Sequence, residues 1–433
     1  SRGLGDVYKR QFRRYSSMLI STLNLNNNAV IISSLSIILL TSFLLTRVTK
    51  KFKLPNVTAY IITGILIGPY VLNIIPKEII NGLDFVTDVA LAFIAFGVGK
   101  YFKIAVLKQN GAKVFIITIF ESLLAAVAVT LVMLFVFHLS VPFSIMLGAI
   151  GCATAPASTI MTIRQYGAKG RFVDTILQVT ALDDVVSLVA FSICIAVAQA
   201  LSSNTKLSLS VFLIPILTNV VAILIGIAMG FILNKIINDR RTQDNKLIIT
   251  ISIILAMTGV CSVLDISPLL SSMALGAAYI NLSNNSHLFK QINNFTPPIL
   301  TIFFVLSGMK LDVSSLASAG VIGVVYFVVR IIGKYAGAYL GALVCKSPDE
   351  IRNYLGLALI PQAGVSIGLA ALGQRILPPE IGGLLSTIIL SSSVLYELIG
   401  PASAKAALHL SKSIPDDKAK MVSSFSEAEV VSK

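Results

Sequence analysis

Phe172–Leu201 reads FVDTILQVTALDDVVSLVAFSICIAVAQAL, thirty largely apolar residues with two adjacent carboxylates, Asp183 and Asp184, near the centre. A helix needs about 20 apolar residues to cross a bilayer, and this stretch supplies them. An aspartate at bilayer depth costs about 2.5–3.5 kcal/mol on insertion scales, before repulsion from a charged neighbour is added. Carboxylates kept at such a place are expected to handle a cation, a proton or both. Adjacent helical side chains diverge by about 100°, so one carboxylate can face an aqueous cavity while the other meets a protein partner. The plainer reading has both satisfied in a helix–helix ion pair.

The composition around that stretch agrees. Hydrophobic residues make up 55% and charged residues 12% of the 433, with mean hydropathy +0.87. A soluble domain carries about 25% charged residues, so the chain reads as an all-α polytopic membrane protein. Cys152, Cys194, Cys261 and Cys345 lie in apolar segments without CxxC or Cys/His spacing, which argues against a disulfide framework or a transition-metal site. A net charge of +14 invites a nucleic-acid reading. Its concentration in short loops fits a membrane protein instead, so no nucleic-acid partner is expected.

Breaks at Gly, Pro, Asn and charge give about thirteen expected spans: 30–46, 54–72, 84–99, 113–138, 142–163, 172–201, 208–234, 246–263, 267–282, 296–310, 316–345, 352–374 and 380–408. The ninth and tenth are short enough to be tilted or partly interfacial. Lys and Arg crowd the loops after odd-numbered spans and the C-terminal tail, whereas the loops after even-numbered spans hold Lys77, Lys206, Lys310 and Arg375. The positive-inside tendency then places the N-terminus outside and the C-terminus in the cytoplasm. Within one transmembrane domain, 30–408, six spans (30–201), a linker helix (208–234) and six more (246–408) are expected to form inverted repeats. Phe93–Ile104 (FIAFGVGKYFKI) and Phe303–Val313 (FFVLSGMKLDV) echo one another in that register. In the N-terminal segment 1–29, Ser1–Gln11 (SRGLGDVYKRQ) looks like a translated sequencing adaptor, with Met18 the expected natural start. No signal peptide is expected, because the first apolar helix lacks a small-residue cleavage site. The tail 409–433 reads as a short polar cytoplasmic segment.

The fifth span carries Cys152-Ala153-Thr154-Ala155-Pro156-Ala157-Ser158, and the twelfth, its repeat partner, carries Pro361-Gln362-Ala363-Gly364-Val365-Ser366. Proline removes a backbone hydrogen bond and breaks a helix, which membrane depth tolerates where the freed groups line a cavity. A lone proline kink is common in membrane helices. Interruptions in corresponding spans point further, to a transport site whose freed carbonyls and half-helix ends coordinate ions.

The eleventh span offers Arg330 and Lys334, one turn apart on one face, with Gly333 and Gly337 permitting close helix approach. A lysine paired with one aspartate would keep that carboxylate ionised, and an amine deprived of its partner could itself gain and release a proton. Glu121 in the fourth span and Glu397 in the thirteenth are the remaining deep carboxylates. Each suits pairing with Arg330 or capping a half-helix, and a structural role is favoured for all three. Asp88 and Asp174 sit near span ends, and His138 and His287 at loop edges.

Taken in order, the double aspartate, the lysine and PQAG resemble the monovalent cation:proton antiporter-2 family, which contains Kef-type systems and sodium/proton exchangers. The resemblance covers nearly the whole chain after about residue 30. Leu54-Pro55-Asn56-Val57 through Gly64-Ile65-Leu66-Ile67-Gly68-Pro69 is similar to the family's early helix signature. Thr154 matches the threonine of its first broken helix, Asp183-Asp184 its double aspartate, Lys334 its lysine, and Leu359–Gly364 its second broken helix. The resemblance implies a homodimer with a six-helix core moving against a dimerisation scaffold. It makes Asp184 the ion- and proton-binding carboxylate and bonds Asp183 to Lys334. Aspartate rather than asparagine at position 183 is similar to the family's electrogenic members. Two departures stand out. Ala155-Pro156 follows the threonine where relatives often have Ser or Asp, and the tail is too short for the cytosolic nucleotide-binding domain usual in Kef-type systems.

The expected activity is therefore secondary antiport of Na⁺ or Li⁺ against protons across a bacterial cytoplasmic membrane, without enzyme chemistry or cofactor. Asp184 is expected to take the proton or the cation in turn, helped by oxygens around Thr154, Ser158 and the unwound backbone; hard oxygen donors suit Na⁺. The first alternative is a K⁺/H⁺ antiporter or K⁺ efflux system of the same fold. An intramembrane aspartyl protease would place its aspartates on two facing helices, often in GxGD, and the GLGD here (Gly3–Asp6) lies in the polar start. A sodium-coupled organic-anion symporter fits poorly with so many deep carboxylates.

Overall fold

The computed structural model describes residues 27–414 apart from 52–55, 106–110, 156–158, 161, 164–165, 203–208, 239, 265, 311–315, 363 and 378. The adaptor-like start, Met18 and the last residues of the tail thus lie outside the described residues, as do Pro156, Ser158 and the side chain of Glu397.

Every regular element among the described residues is a helix. In chain order these are α1 (Asn27–Lys51), α2 (Asn56–Ile67), α3 (Lys77–Gly82), α4 (Phe85–Gly99), α5 (Ala112–Phe135), α6 (Val141–Cys152), α7 (Arg171–Ser202) and α8 (Leu209–Ile236). There follow α9 (Gln243–Val263), α10 (Pro268–Ser283), α11 (His287–Phe295), α12 (Pro297–Met309), α13 (Leu316–Val344), α14 (Asp349–Ala358), α15 (Gly364–Ile376) and α16 (Pro379–Leu410). Local signals set several ends. The Thr242 hydroxyl caps α9 by accepting from Asn245 N, Ser267 caps α10 ahead of Pro268, and α10 stops where Asn284 turns left-handed.

Each expected span falls on one of these helices or on a consecutive pair, but thirteen bilayer-length helices do not result. Among the described residues α1, α5, α7, α8, α9 and α13 are long and apolar enough to cross. Two more stretches pass when taken as pairs, α11 with α12 and the two halves of α16, which makes up to eight. For the broken spans the shortfall has a physical cause. Twelve residues of α6 reach only about 18 Å at 1.5 Å per residue, short of the roughly 30 Å hydrocarbon core.

The chain divides into two compact units, Ser1–Ala90 with Thr296–Ser315, and Leu91–Phe295 with Leu316–Lys433. This division runs across the expected repeats. In the first unit, Ile38, Ile67, Ile75, Ile80, Val305 and Met309 form the core. There α2 lies directly on α12, because a Cβ on Gly64 would stand 2.1 Å from Val305 O and one on Gly308 2.2 Å from Ile61 O. Lys310 forms an ion pair with Asp84.

In the second unit α4 and α10 meet in the same way, a Cβ on Gly276 coming 2.4 Å from Phe96 O. The closest approach that matters for function is between α5 and α13. Gly333, Gly337 and Gly341 form a stripe four residues apart, and a Cβ on each would stand 2.7, 2.5 and 2.8 Å from the Cα atoms of Ala125, Glu121 and Ile117. Removing the side chains lets the backbones nearly touch. Glu121 is thereby set against the turn of α13 that carries Lys334.

Candidate functional site

α6 stops at Cys152, and Ala153 is already extended (φ −63°, ψ 141°). Helical residues resume at Thr159. Across from this break, α14 ends at Ala358, Leu359–Gln362 is non-helical, and α15 begins at Gly364. The two interruptions are bonded to one another. Ala155 N donates to Pro361 O at 2.8 Å and the Thr159 hydroxyl to Ala358 O at 3.1 Å.

Two helix C-termini therefore meet, each carrying the equivalent of about half a negative charge. Arg330 answers both. Its Nε donates to Gly151 O at 2.9 Å, Nη1 to Ile360 O at 2.8 Å and Nη2 to Ala153 O at 2.5 Å. The guanidinium, fully buried, also lies 4.8 Å from the ring centre of Tyr396. Gln362 Nε2 takes Ile150 O at 2.8 Å, while the Tyr326 hydroxyl donates to Gln362 Oε1 at 3.1 Å. This corrects two expectations. Arg330 bonds carbonyls rather than a carboxylate of Glu121, and four freed carbonyls expected as ion ligands already hold protein donors. The reason is electrostatic: a planar, permanently charged fork matches several converging carbonyls at once.

One turn further along α13, Lys334 meets the carboxylates. Its Nζ lies 2.6 Å from Asp183 Oδ2 and 2.7 Å from Glu121 Oε2, with all three side chains fully buried. Asp183 Oδ2 also accepts the Thr154 hydroxyl at 2.6 Å, and Oδ1 accepts that of Ser122. Four elements thus converge on Asp183: α5, the break after α6, α7 and α13.

Asp184, one residue on, is the opposite case. It is 2% exposed, and neither carboxylate oxygen has a hydrogen-bond partner among the described residues. A buried ionised carboxylate without partners is costly, so the site is poised to accept a positive charge.

The structure therefore brings Asp183, Thr154, Lys334 and Glu121 together, with Arg330, Pro361 and Gln362 at the crossing beside them. Thr154 spends its hydroxyl on Asp183. Asp184 stands apart from those hydrogen bonds, and Gly364 starts α15. His138 and His287 are exposed. Sequence reasoning missed Ser122 and Tyr326. The second had a signal, since Tyr326, Arg330 and Lys334 are polar positions four apart on one face of an apolar helix.

The model of the family described as sodium/hydrogen exchanger, transmembrane, matches residues 37–400. The chain belongs to the sodium/hydrogen exchanger family. This exchanger is thus a multi-pass membrane cation:proton antiporter and not an enzyme, as its sequence suggested; the match names sodium/hydrogen exchangers and not Kef-type systems. It is 23% identical over 375 residues to the ammonium/H(+) antiporter subunit AmhT of Alkalihalophilus pseudofirmus, covering 84% of this chain and 91% of that one. It is 24% identical to the cation/H(+) antiporter 19 of Arabidopsis thaliana, covering 80% of this chain but spanning only 46% of that protein's length. Its fold is that of the sodium proton antiporter MjNhaP1 from Methanocaldococcus jannaschii, with TM-score 0.72 at 20% identity over 87% of this chain and 97% of that one.

Proposed function

We propose that the exchanger trades Na⁺ (or Li⁺) for protons at one shared carboxylate, Asp184. The observation that carries this reading is the buried, unpartnered carboxylate of Asp184 beside a neighbour whose own charge is already bonded. A proton and a cation are alternative ways to neutralise the same group, so binding one expels the other. Coupling then needs no separate gate. The alternation of access comes from movement of the broken-helix core, with Arg330 keeping the two half-helices fastened as they move. Ser158, outside the described residues, is the further oxygen that the sequence offers to the cation's shell.

The wider reading is a homodimer in a bacterial cytoplasmic membrane, with the N-terminus outside and the C-terminus inside, built from two inverted six-helix repeats around α8. The matching glycine contacts of α2 on α12 and of α4 on α10 support the repeat pairing, since the second and ninth spans and the third and tenth are its expected counterparts. A K⁺/H⁺ reading remains the second candidate, because relatives are named for ammonium, sodium and unspecified cations.

Reconstitution in liposomes with an imposed pH gradient tests this directly. Adding Na⁺, Li⁺ or K⁺ in turn should collapse the gradient with the first two. Collapse by K⁺ alone would select the second reading, and no collapse with any monovalent cation would refute antiport.

A further inference from the structure

Glu121 has no task in the mechanism so far, yet it is fully buried with Oε2 2.7 Å from the Lys334 ammonium, a charge contact without the hydrogen-bond alignment that Asp183 has. The glycine stripe on α13 brings the α5 backbone to the turn that bears Lys334. The ammonium then lies 2.7 Å from Glu121 and 2.6 Å from Asp183. Ser122 adds its hydroxyl between the two carboxylates, bonding Asp183 and lying 3.5 Å from Glu121 Oε1. The other groups facing this cluster are Asp184 on α7 and the Cys152 thiol on α6, which reaches Ser122 O at 3.4 Å. Arg330 is committed to carbonyls and lends the cluster no hydrogen bond.

A lysine with one carboxylate partner loses it whenever that partner turns to a cation or takes a proton. The bare amine in a dry site then gives up its own proton, and a second proton moves in each cycle. A lysine with two carboxylate partners keeps one throughout. We propose that Glu121 is the residue that holds Lys334 charged through the whole cycle, so that Lys334 carries no proton across and exchange runs at one proton per cation. This rests on Asp184 being the shared site, and it replaces the electrogenic behaviour implied by aspartate at position 183.

The test uses the full-length protein in liposomes with Na⁺ as the transported cation, with and without a membrane potential imposed by a thiocyanate gradient. The native protein should exchange at a rate the potential does not alter, with a reversal point at one proton per cation. Glu121→Gln should still exchange but respond to the potential, its reversal point moving towards two protons per cation. A native protein that already responds overturns the proposal while leaving Asp184 as the shared site. So does an active Glu121→Gln that remains insensitive. If Glu121→Gln is inert, the double variant Glu121→Gln/Lys334→Gln decides, since it removes the two opposite charges together. Recovered, potential-insensitive exchange supports the proposal, and no recovery overturns it. Failure of Na⁺ exchange in the native protein would instead remove the underlying reading.

Discussion

Asp183 receives the Lys334 ammonium and two hydroxyls, whereas Asp184 receives none among the described residues. Substitutions at Asp184 and at the Lys334 partner of Asp183 should therefore separate stability from transport. Asp184→Asn should abolish exchange while leaving the thermal midpoint in detergent at or above the native value, because no hydrogen bond is lost and an orphaned charge is removed. Exchange near the native rate would move the ion site elsewhere. Lys334→Met should do the reverse at the neighbouring cluster. It leaves Glu121 and Asp183 buried against each other with no cation, and breaking such a pair costs about 3–5 kcal/mol. The expected outcome is a markedly lower thermal midpoint, and an unchanged one would show that the ion pair is not maintained in the bilayer protein.

At the level of elements, the packing of α5 on α13 is where small residues decide geometry. Gly337→Leu puts a side chain where even a Cβ stands 2.5 Å from the Glu121 Cα, and overpacking of this kind costs about 1–3 kcal/mol or more. It should lower both the thermal midpoint and the exchange rate, a result checked by the same two assays. At the broken helices, Arg330→Lys keeps the charge but not the fork. One ammonium cannot hold Gly151, Ala153 and Ile360 in the same directions, so about 1–3 kcal/mol should be lost for each carbonyl left without a donor. A lysine variant as stable as the native protein would mean that charge alone suffices.

These elements also mark how far the chain could be read unaided. The broken helices, the two aspartates and Lys334 were legible, because proline, small polar residues and lone charges are costly in apolar runs and stand out against them; that Lys334 meets Asp183 followed only from the family resemblance. The partner of Arg330 was not. Carbonyls leave no trace in a sequence, and the turn of α5 that faces α13 is set by a glycine stripe whose neighbour only the fold supplies. The same holds for Glu121, which read as a partner of Arg330 or a half-helix cap, whereas the register of α5 on α13 sets it against Lys334.

For the molecule as a whole, the distribution of Lys and Arg predicts a cytoplasmic C-terminus, which can be checked without transport. A single cysteine introduced beside Lys412 on a cysteine-free background should react with a membrane-impermeant maleimide only after the cells are opened. Labelling of intact cells would invert the orientation. The proposed sharing of one carboxylate by two ions sets a stricter requirement. On that proposal protons occupy Asp184 more fully as the pH falls and so exclude the cation from it. The apparent KM for Na⁺ should then rise by about tenfold per pH unit on the acid side, while the maximal rate at saturating Na⁺ stays constant. The most direct test is therefore the Na⁺ dependence of exchange in proteoliposomes across a series of pH values, equal on both faces at the start. A KM that climbs with proton concentration at fixed maximal rate is the expected result. A constant KM with a maximal rate that falls on acidification would contradict shared occupancy of Asp184.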